Sequence, residues 1–306
     1  MSGPASSGDI RDLRALVPPG ALERALQAGL ASVPPRLLDP LFHARKGLHL
    51  RNALESSPRC AAKEAEIATL GSFLKGVEIG HLVVFDAGPG PLHWLHNLHP
   101  GAERATFFGL EEGAMGEVRA GLPESLPHTA ILAELREGVR HVKLEVAGPR
   151  TLAWLDGGLS AYPPDVAMHL LAHVGALLGP EDRLLVGGEC EAMEAGSWGD
   201  SWHAGPGVTQ WALDVLESTP GLAGIPWDIL WRLEPDVEVL HALHADGDPI
   251  PHALAPGGAI PGEPGLVLAR IHRWGDDAFA AVIAHAKLEI EAVEKRGGYR
   301  VAILRR

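Results

Sequence analysis

The sequence of 306 residues is poor in cysteine and lacks the short motifs of several enzyme classes. Cys60 and Cys190 are its only cysteines, and they do not form a CxxC pair. A disulfide framework and a structural zinc site are therefore not expected. No nucleophile elbow, Walker motif or HExxH motif occurs, so a serine or cysteine nucleophile has no support.

Basic charge and long apolar runs are also scarce. The chain carries 39 acidic and 26 basic residues, a formal net charge of -13, without a cluster of Lys or Arg. Nucleic acids and anionic membranes are disfavoured as partners, because both need a basic surface that replaces counterions. No run of about 18 apolar residues and no secretion signal is visible. We expect a cytoplasmic protein whose partner is a small molecule or another protein.

The first 75 residues predict helices. Residues 1–9 are small and polar, and we expect a frayed tail there. Apolar residues then recur at helical spacing over 22–30 and 48–74, with prolines marking breaks between these segments.

Short apolar runs follow and alternate with helical patterns. These runs are "HLVVFDAG", "ATFFGLEE", "TLAWLDGG" and "DRLLVGGE". A helix is expected over 165–178 with Asp165 as its N-cap. The alternation predicts an α/β fold, a doubly wound and mostly parallel sheet with helices on both faces. Beyond residue 195 we expect a helix from about Val208, a strand in "VEVLHALHADGDPI", a helix over 276–287 and a final strand in "GYRVAILRR".

The segment "VVFDAGPG" has the composition of a cofactor loop. Asp86 closes a buried strand, and Gly88 and Gly90 allow a ligand to approach the backbone closely. Pro89 and Pro91 remove two N–H donors that a pyrophosphate would need, which favours S-adenosylmethionine (SAM) over NAD. The alternative is a strand-to-helix turn without a ligand.

A second acid strengthens the cofactor prediction. Glu111 follows Asp86 by about 25 residues, at the end of the next apolar run, where a carboxylate accepts hydrogen bonds from ribose hydroxyls. Glu112 takes this role if the register differs by one residue. Alternatively, both acids only stabilise the start of the next helix.

The histidines do not predict a metal site. His93, His96 and His99 recur every third residue, so on a helix the first and last are about 120° apart. His169 and His173 share one helix face but lack an evident third ligand. Solvated surface histidines are the simpler interpretation.

Tryptophans cluster between residues 198 and 231. Most are expected to pack in the core. Those on or after the loop "GSWGDSWHAGPG" have a second interpretation, because loop aromatics line pockets or surround cations. We therefore predict that Trp202 and Trp211 contact a substrate.

Several segments together resemble one family. "VFDAGPG" is similar to that family's "ELGSG" loop, and "HAGPGVTQWALDVL" to its "DDpaGVTaaFNlnlL" segment. "LDGGLSAYPPDVAMHLLAHVGALLGPEDRLLVGGE" is similar to "lGStiGNftpeea...LgpgdallvG". The segments keep the family's order over residues 22–306. The chain thus resembles the histidine-specific SAM-dependent methyltransferases, whose prototype trimethylates the histidine α-amine in ergothioneine biosynthesis.

The resemblance implies a class I, Rossmann-like methyltransferase domain with a smaller appended α+β domain. The implied regions are a disordered tail over 1–20, the helical part of the appended domain over 21–75, the SAM-binding domain over 76–195, a substrate-side insertion over 196–270, and a helix and strand over 271–306 that complete the SAM-binding domain. Asp86, Gly88, Gly90 and Glu111 correspond to the SAM-binding residues.

The departures from the family fall on the substrate side. Alanine or leucine replaces substrate-holding groups at Ala161, Ala212 and Leu213, and Cys60 and Ala61 replace tyrosines. Trp94 stands where lysine is usual. Arg270 and His272 occupy the positions that grip imidazole in the family. Loss of such partners costs specificity, so the substrate is expected to differ from histidine, and Arg270 suits an anionic group.

The sequence predicts a SAM-dependent methyltransferase that acts on a small, amino-acid-like or other metabolite. Tyr162 and His203 are candidates for orienting or deprotonating the methyl acceptor, and Trp202, Trp211, Arg270 and His272 for binding it. The alternatives are a pseudo-methyltransferase that serves as a binding or scaffolding module in a biosynthetic complex, and a metal-dependent variant that uses the histidines.

Overall fold

The chain divides into two compact units. The computed structural model describes residues 10–13, 19–37, 61–74, 78–85, 101–109, 112–133, 135–146, 148–155, 158–190, 205–296 and 298–306. The first unit holds the described residues of 10–13, 61–190 and 272–306, and the second holds 19–37 and 205–271.

The first unit is built on an eight-stranded sheet. With strands numbered along the chain, its members are β1 Ile10–Asp12, β2 Gly80–Val84, β3 Ala102–Gly109, β4 His128–Leu132, β5 Arg150–Trp154, β6 Arg183–Glu189, β12 Glu289–Arg296 and β13 Tyr299–Arg305. The spatial order is β1-β4-β3-β2-β5-β6-β13-β12.

The strand directions identify the fold class. The pairs from β1 to β6 are all parallel. β13 is antiparallel to both β6 and β12, so β12 runs in the same direction as the first six strands. This mostly parallel sheet, with core residues on both faces, confirms the predicted doubly wound α/β architecture.

Apolar residues on both faces of the sheet explain why helices cover both. In β2, Leu82 packs with one core cluster, while Val83 packs with the other, because successive strand residues point to opposite faces. The helices of this unit are α2 Ala61–Phe73, α3 Glu112–Ala120, α4 Leu135–Glu145, α5 Pro164–Gly175 and α7 Asp276–His285. α2 and α3 contribute to the core of the first face, and α4, α5 and α7 to the core of the second.

Two details of the first unit correct the predictions. The tail predicted over 1–20 is wrong for Ile10–Asp12, which pair with β4 as a parallel edge strand. Ile10 packs against the core, and the Leu13 N–H donates to Leu132 O at 2.8 Å. Asp165 is not an N-cap, since α5 begins at Pro164 with Pro163 as its N-cap. Asp165 lies in the first turn, where a carboxylate is favoured by the helix dipole.

The outer strand β12 is irregular. A β-bulge lies between Ile290 and Ala292 in its pairing with β13. Ile290 and Val293 are exposed although both are apolar, and charged residues occupy most of the other positions of the strand.

The second unit packs helices on a smaller sheet. Its elements are α1 Ala21–Leu30, α6 Pro206–Ser218, β7 Trp227–Glu234, β8 Val237–His244, β9 Ile250–Pro251, β10 Ala259–Ile260 and β11 Leu266–His272, of which the last residue belongs to the first unit. The sheet has the order β11-β8-β7, and β9 pairs with β10. Leu26, Trp211, Leu240 and Leu268 share its core. None of the helices in the described part of the chain is long and apolar enough to cross a membrane.

Candidate functional site

The strand order of the first unit defines one ligand-binding edge. From β2 the chain adds β3 and β4 on one side, and then β5 and β6 on the other. The switch point therefore lies between β2 and β5, and open α/β sheets bind ligands at the carboxyl ends of the strands at such a point. We call this the carboxyl edge.

The predicted SAM-binding residues follow the strands that end at this edge. Asp86, Gly88 and Gly90 lie two to six positions after the end of β2, and Glu111 lies two positions after the end of β3. All four lie outside the described residues, so their role stays a prediction. The end of β2 is well defined, since the Phe85 N–H donates to Ala153 O at 2.9 Å.

The segment after β5 brings Tyr162 to the carboxyl edge. A short 3-10 helix spans Gly158–Ala161 and is followed by Tyr162. A Cβ atom on Gly158 would lie 2.4 Å from Trp154 Cδ1, so only glycine allows this approach. The Tyr162 and Trp154 rings are tilted, with their centroids 5.6 Å apart.

Two hydrogen bonds, one of them fully buried, hold the 3-10 helix. The Glu189 N–H donates to Ser160 Oγ at 2.7 Å, and Trp274 Nε1 donates to Leu159 O at 3.2 Å. Trp274 is 1% exposed and Ser160 2%. The carboxyl end of β6 and Trp274, which lies two positions before α7, therefore both fix the segment that carries Tyr162.

The buried Arg300 side chain binds the backbone of Trp274. Its guanidinium donates to Trp274 O at 2.9 Å, pairs with Asp276 and lies 4.3 Å from the centroid of the Phe279 ring. Asp276 also pairs with Lys295, and this hydrogen bond lowers the pKa of the carboxyl. Arg300 is 3% exposed, so it acts as a structural cation with an ion-pair partner.

Cys190 is a poor nucleophile at this edge. It follows β6 directly, and its N–H donates to Gly298 O at 2.9 Å. Burial raises the pKa of its thiol, whereas reactive cysteines need a lowered pKa.

The predicted substrate-binding residues differ in what the structure says of them. Trp211 is 1% exposed in the core of the second unit, so its indole has a packing role, and its contact with a substrate stays a prediction. Arg270 and His272 lie two residues apart on β11, and both are partly buried. The Nε atom of Arg270 is buried and has no acceptor among the residues that the structure describes. Trp202 and His203 lie outside the described residues.

The geometry of His169 and His173 does not suit a shared metal ion. The rings are exposed, and each Nδ1 donates to the carbonyl four residues earlier, at 2.6 and 2.8 Å. Equivalent atoms of the two rings thus repeat about 6 Å apart along the helix, whereas two nitrogens on one zinc are at most about 4.2 Å apart. Within the described ranges no group of three His, Cys, Asp or Glu residues is placed to hold a metal. His93, His96 and His99 are outside them.

Sequence reasoning missed Ser160, Trp274 and Arg300. Ser160 lies beside the predicted Tyr162, so its position after β5 was a usable signal. Trp274 and Leu159 are 115 positions apart, and no local pattern reports such a contact.

No family model and no curated protein matches the chain. Solved structures do show similarity. A SAM-dependent methyltransferase from Clostridium acetobutylicum is 9% identical and has a TM-score of 0.44, over 79% of this chain and 90% of that one. The 1,6-didemethyltoxoflavin N1-methyltransferase from Burkholderia thailandensis is 15% identical with a TM-score of 0.46, over 96% and 92%.

The CcbJ methyltransferase from Streptomyces caelestis is 13% identical, covers 82% of this chain and 97% of its own, and has a TM-score of 0.46. Likenesses at this level of identity and TM-score identify neither a reaction nor a substrate.

Proposed function

We propose that the protein is a SAM-dependent methyltransferase that acts on a small, amino-acid-like or other metabolite. One observation carries the proposal. The switch point lies between β2 and β5, and β2 ends two positions before the segment "DAGPG", which the sequence predicts to be the SAM loop. The predicted cofactor residues thus follow, in the sequence, strands that end at the edge where doubly wound sheets bind ligands, and this supports the proposal.

The proposed cofactor contacts follow from their positions. Gly88 and Gly90 allow the ligand to approach the backbone after β2. Asp86 compensates the cationic end of SAM, and Glu111 after β3 accepts hydrogen bonds from the ribose hydroxyls. Bound SAM supplies an electrophilic methyl group.

The chain's own contribution to catalysis is orientation. Methyl transfer forms a bond from the acceptor atom to the methyl carbon while the bond from that carbon to sulfur breaks, and the electron pair stays on sulfur. This reaction needs in-line alignment more than acid–base catalysis. Tyr162 orients the acceptor or removes its proton, and His203 is the second candidate for this role.

The proposed substrate is not histidine. The positions that hold histidine in the resembling family carry Ala161, Ala212 and Arg270. A buried Nε donor on Arg270 without an acceptor among the described residues supports an anionic substrate group, because a guanidinium pairs with carboxylate or phosphate through parallel hydrogen bonds.

Calorimetric titration with S-adenosylhomocysteine tests the proposal. We expect saturable one-to-one binding that Asp86→Ala abolishes, while Asp246→Ala, in an exposed turn of the second unit, leaves it unchanged. Absence of binding to the unaltered protein would sink the proposal. If the product binds but no methyl transfer to amino acids or pathway intermediates occurs, the pseudo-methyltransferase is favoured, in agreement with the lost substrate-holding groups.

A further inference from the structure

The carbonyl oxygen of Leu159 joins two parts of the first unit that are far apart in sequence. It accepts the indole N–H of Trp274 at 3.2 Å and the backbone N–H of Tyr162 at 3.4 Å. Leu159 is 1% exposed and belongs to the core that α5 and α7 also form. The indole therefore binds the same atom that sets the backbone position of Tyr162.

Trp274 is itself fixed by two backbone hydrogen bonds and by the burial of its side chain. The backbone N–H of Trp274 donates to Glu189 O at 2.8 Å, its backbone carbonyl accepts from Arg300, and its side chain is 1% exposed. A buried indole usually has a hydrogen-bond partner, and here that partner belongs to the segment after β5. The backbone of Trp274 is bound by β6 and by the Arg300 side chain of β13, both of which lie outside that segment.

Ser160 joins the same segment to the carboxyl end of β6. Its hydroxyl oxygen accepts the Glu189 N–H at 2.7 Å. A Cβ atom on the neighbouring Gly188 would lie 3.2 Å from Ser160 Oγ and 3.3 Å from Leu159 Cβ, so the 3-10 helix lies closely on the end of β6.

We propose that Trp274 and Ser160 are positioning residues that hold the segment Gly158–Tyr162 in one conformation, and thereby place Tyr162 at the carboxyl edge. The meaning of this placement for catalysis rests on the proposed function, in which Tyr162 orients the methyl acceptor. The placement itself is a property of the described hydrogen bonds and is measurable without a substrate.

The tyrosine content makes a direct measurement possible. The chain has only two tyrosines, Tyr162 and Tyr299, so full-length protein labelled with 3-fluorotyrosine gives two fluorine resonances. Tyr299 is 1% exposed and packs in the core on the face of the sheet opposite to that of Trp274. Its resonance is therefore an internal reference for the folded state.

Trp274→Phe keeps an aromatic ring but removes the indole donor. We expect the Tyr162 resonance to broaden or split, because one lost hydrogen bond raises the population of a displaced segment by up to about tenfold. The Tyr299 resonance stays unchanged. Trp227→Phe is the matched control, since Trp227 Nε1 donates to Leu222 O in the second unit and its loss leaves both resonances unchanged.

Ser160→Ala provides an independent variant if Trp274→Phe does not fold, and the same selective change at Tyr162 is expected. Unchanged Tyr162 resonances in the folded variants would overturn the inference, as would equal changes at both tyrosines, which report general destabilisation. Titration of the unaltered protein with S-adenosylhomocysteine tests the proposed function separately. A protein that does not bind it, but shows the selective change, retains the inference and loses the function.

Discussion

The two ends of the large sheet use polar side chains differently. At the amino end, Arg150 donates to Asp182 through Nε at 3.0 Å and Nη2 at 2.5 Å, and its backbone N–H donates to the same carboxylate at 2.7 Å. Gly179 N–H donates there too. At the carboxyl end, Ser160 and Trp274 instead bind backbone groups of the segment that carries Tyr162.

The amino-end groups are expected to contribute mainly to stability, and the carboxyl-end groups mainly to the geometry of the candidate site. Asp182 is 4% exposed. Burial alone would raise the pKa of its carboxyl, but the hydrogen bonds from Arg150 and Gly179 outweigh this effect and lower it. The amino-end groups satisfy one another, so their loss is expected to cost folding free energy without a specific effect at Tyr162. Loss of the carboxyl-end groups is expected to alter the site more than the stability.

The largest expected effect on stability comes from removing Asp182 at the amino end of the sheet. Asp182→Ala leaves the Arg150 guanidinium, on a side chain only 11% exposed, without its carboxylate, and we expect the free energy of unfolding to fall by up to about 3–5 kcal/mol. Urea denaturation measures the loss.

The control is the exposed pair Arg183–Glu291, joined at 3.2 Å. Arg183→Gln should cost less than about 1 kcal/mol. If the two variants lose similar amounts of unfolding free energy, the Arg150–Asp182 pair contributes no more to stability than the exposed pair.

The pH dependence of stability tests a second group at the amino end of the sheet, His81 near the start of β2. Burial, helped by Arg104 and Arg150, lowers the pKa of His81 from 6.5 to about 4. Between these values the unfolded chain binds a proton that the folded chain does not, so stability falls as the pH decreases from about 6.5 to 4, by up to about 3 kcal/mol.

His81→Gln should flatten the stability curve in this window, as measured by urea denaturation at a series of pH values. The Asp182 contribution is lost only at lower pH, because the pKa of that group is below its usual value. An unchanged slope in the variant would exclude His81 as the group that titrates.

The smallest effect on stability is expected at the carboxyl end. In Gly158→Ala the new Cβ meets Trp154 at 2.4 Å, and such overpacking costs about 1–3 kcal/mol. The matched control is Gly113→Ala on α3, where no atom of the described residues beyond the neighbouring helix turns lies within 4 Å of the new Cβ, and helix propensity predicts a gain of up to about 1 kcal/mol.

The Tyr162 fluorine resonance distinguishes the two glycine variants further. Gly158→Ala should shift it, and Gly113→Ala should not. If Gly158→Ala leaves both the stability and the resonance unchanged, the close approach to Trp154 is not required.

The sequence predicted those parts of the fold that local patterns determine. The continuous apolar runs identified β2, β3, β5 and β6, since a strand covered on both faces is apolar throughout. β1 was missed because three residues carry no periodicity, and their pairing with β4 is a long-range contact. β12 was missed for a different reason: most of its side chains are exposed, so it lacks an apolar pattern.

The candidate site was predictable only in part. Residues that follow strands, such as Asp86 and Tyr162, are visible to sequence reasoning because strand ends carry ligands in this architecture. The contacts that hold Tyr162 depend on Trp274, which is close only in the folded chain. The alternation of apolar runs and helical patterns predicted the fold class, whereas nothing in the structure specifically supports the resemblance to histidine methyltransferases.

The bulged strand β12 has a consequence for the behaviour of the protein at high concentration. The outer edge of a sheet is a template for strands of other molecules, and bulges and charges at the edge oppose such growth. β12 carries a bulge beside Ile290, and glutamate, lysine and arginine occupy five of its eight positions. The two exposed apolar side chains of this strand are therefore surrounded by features that keep the sheet from extending into aggregates.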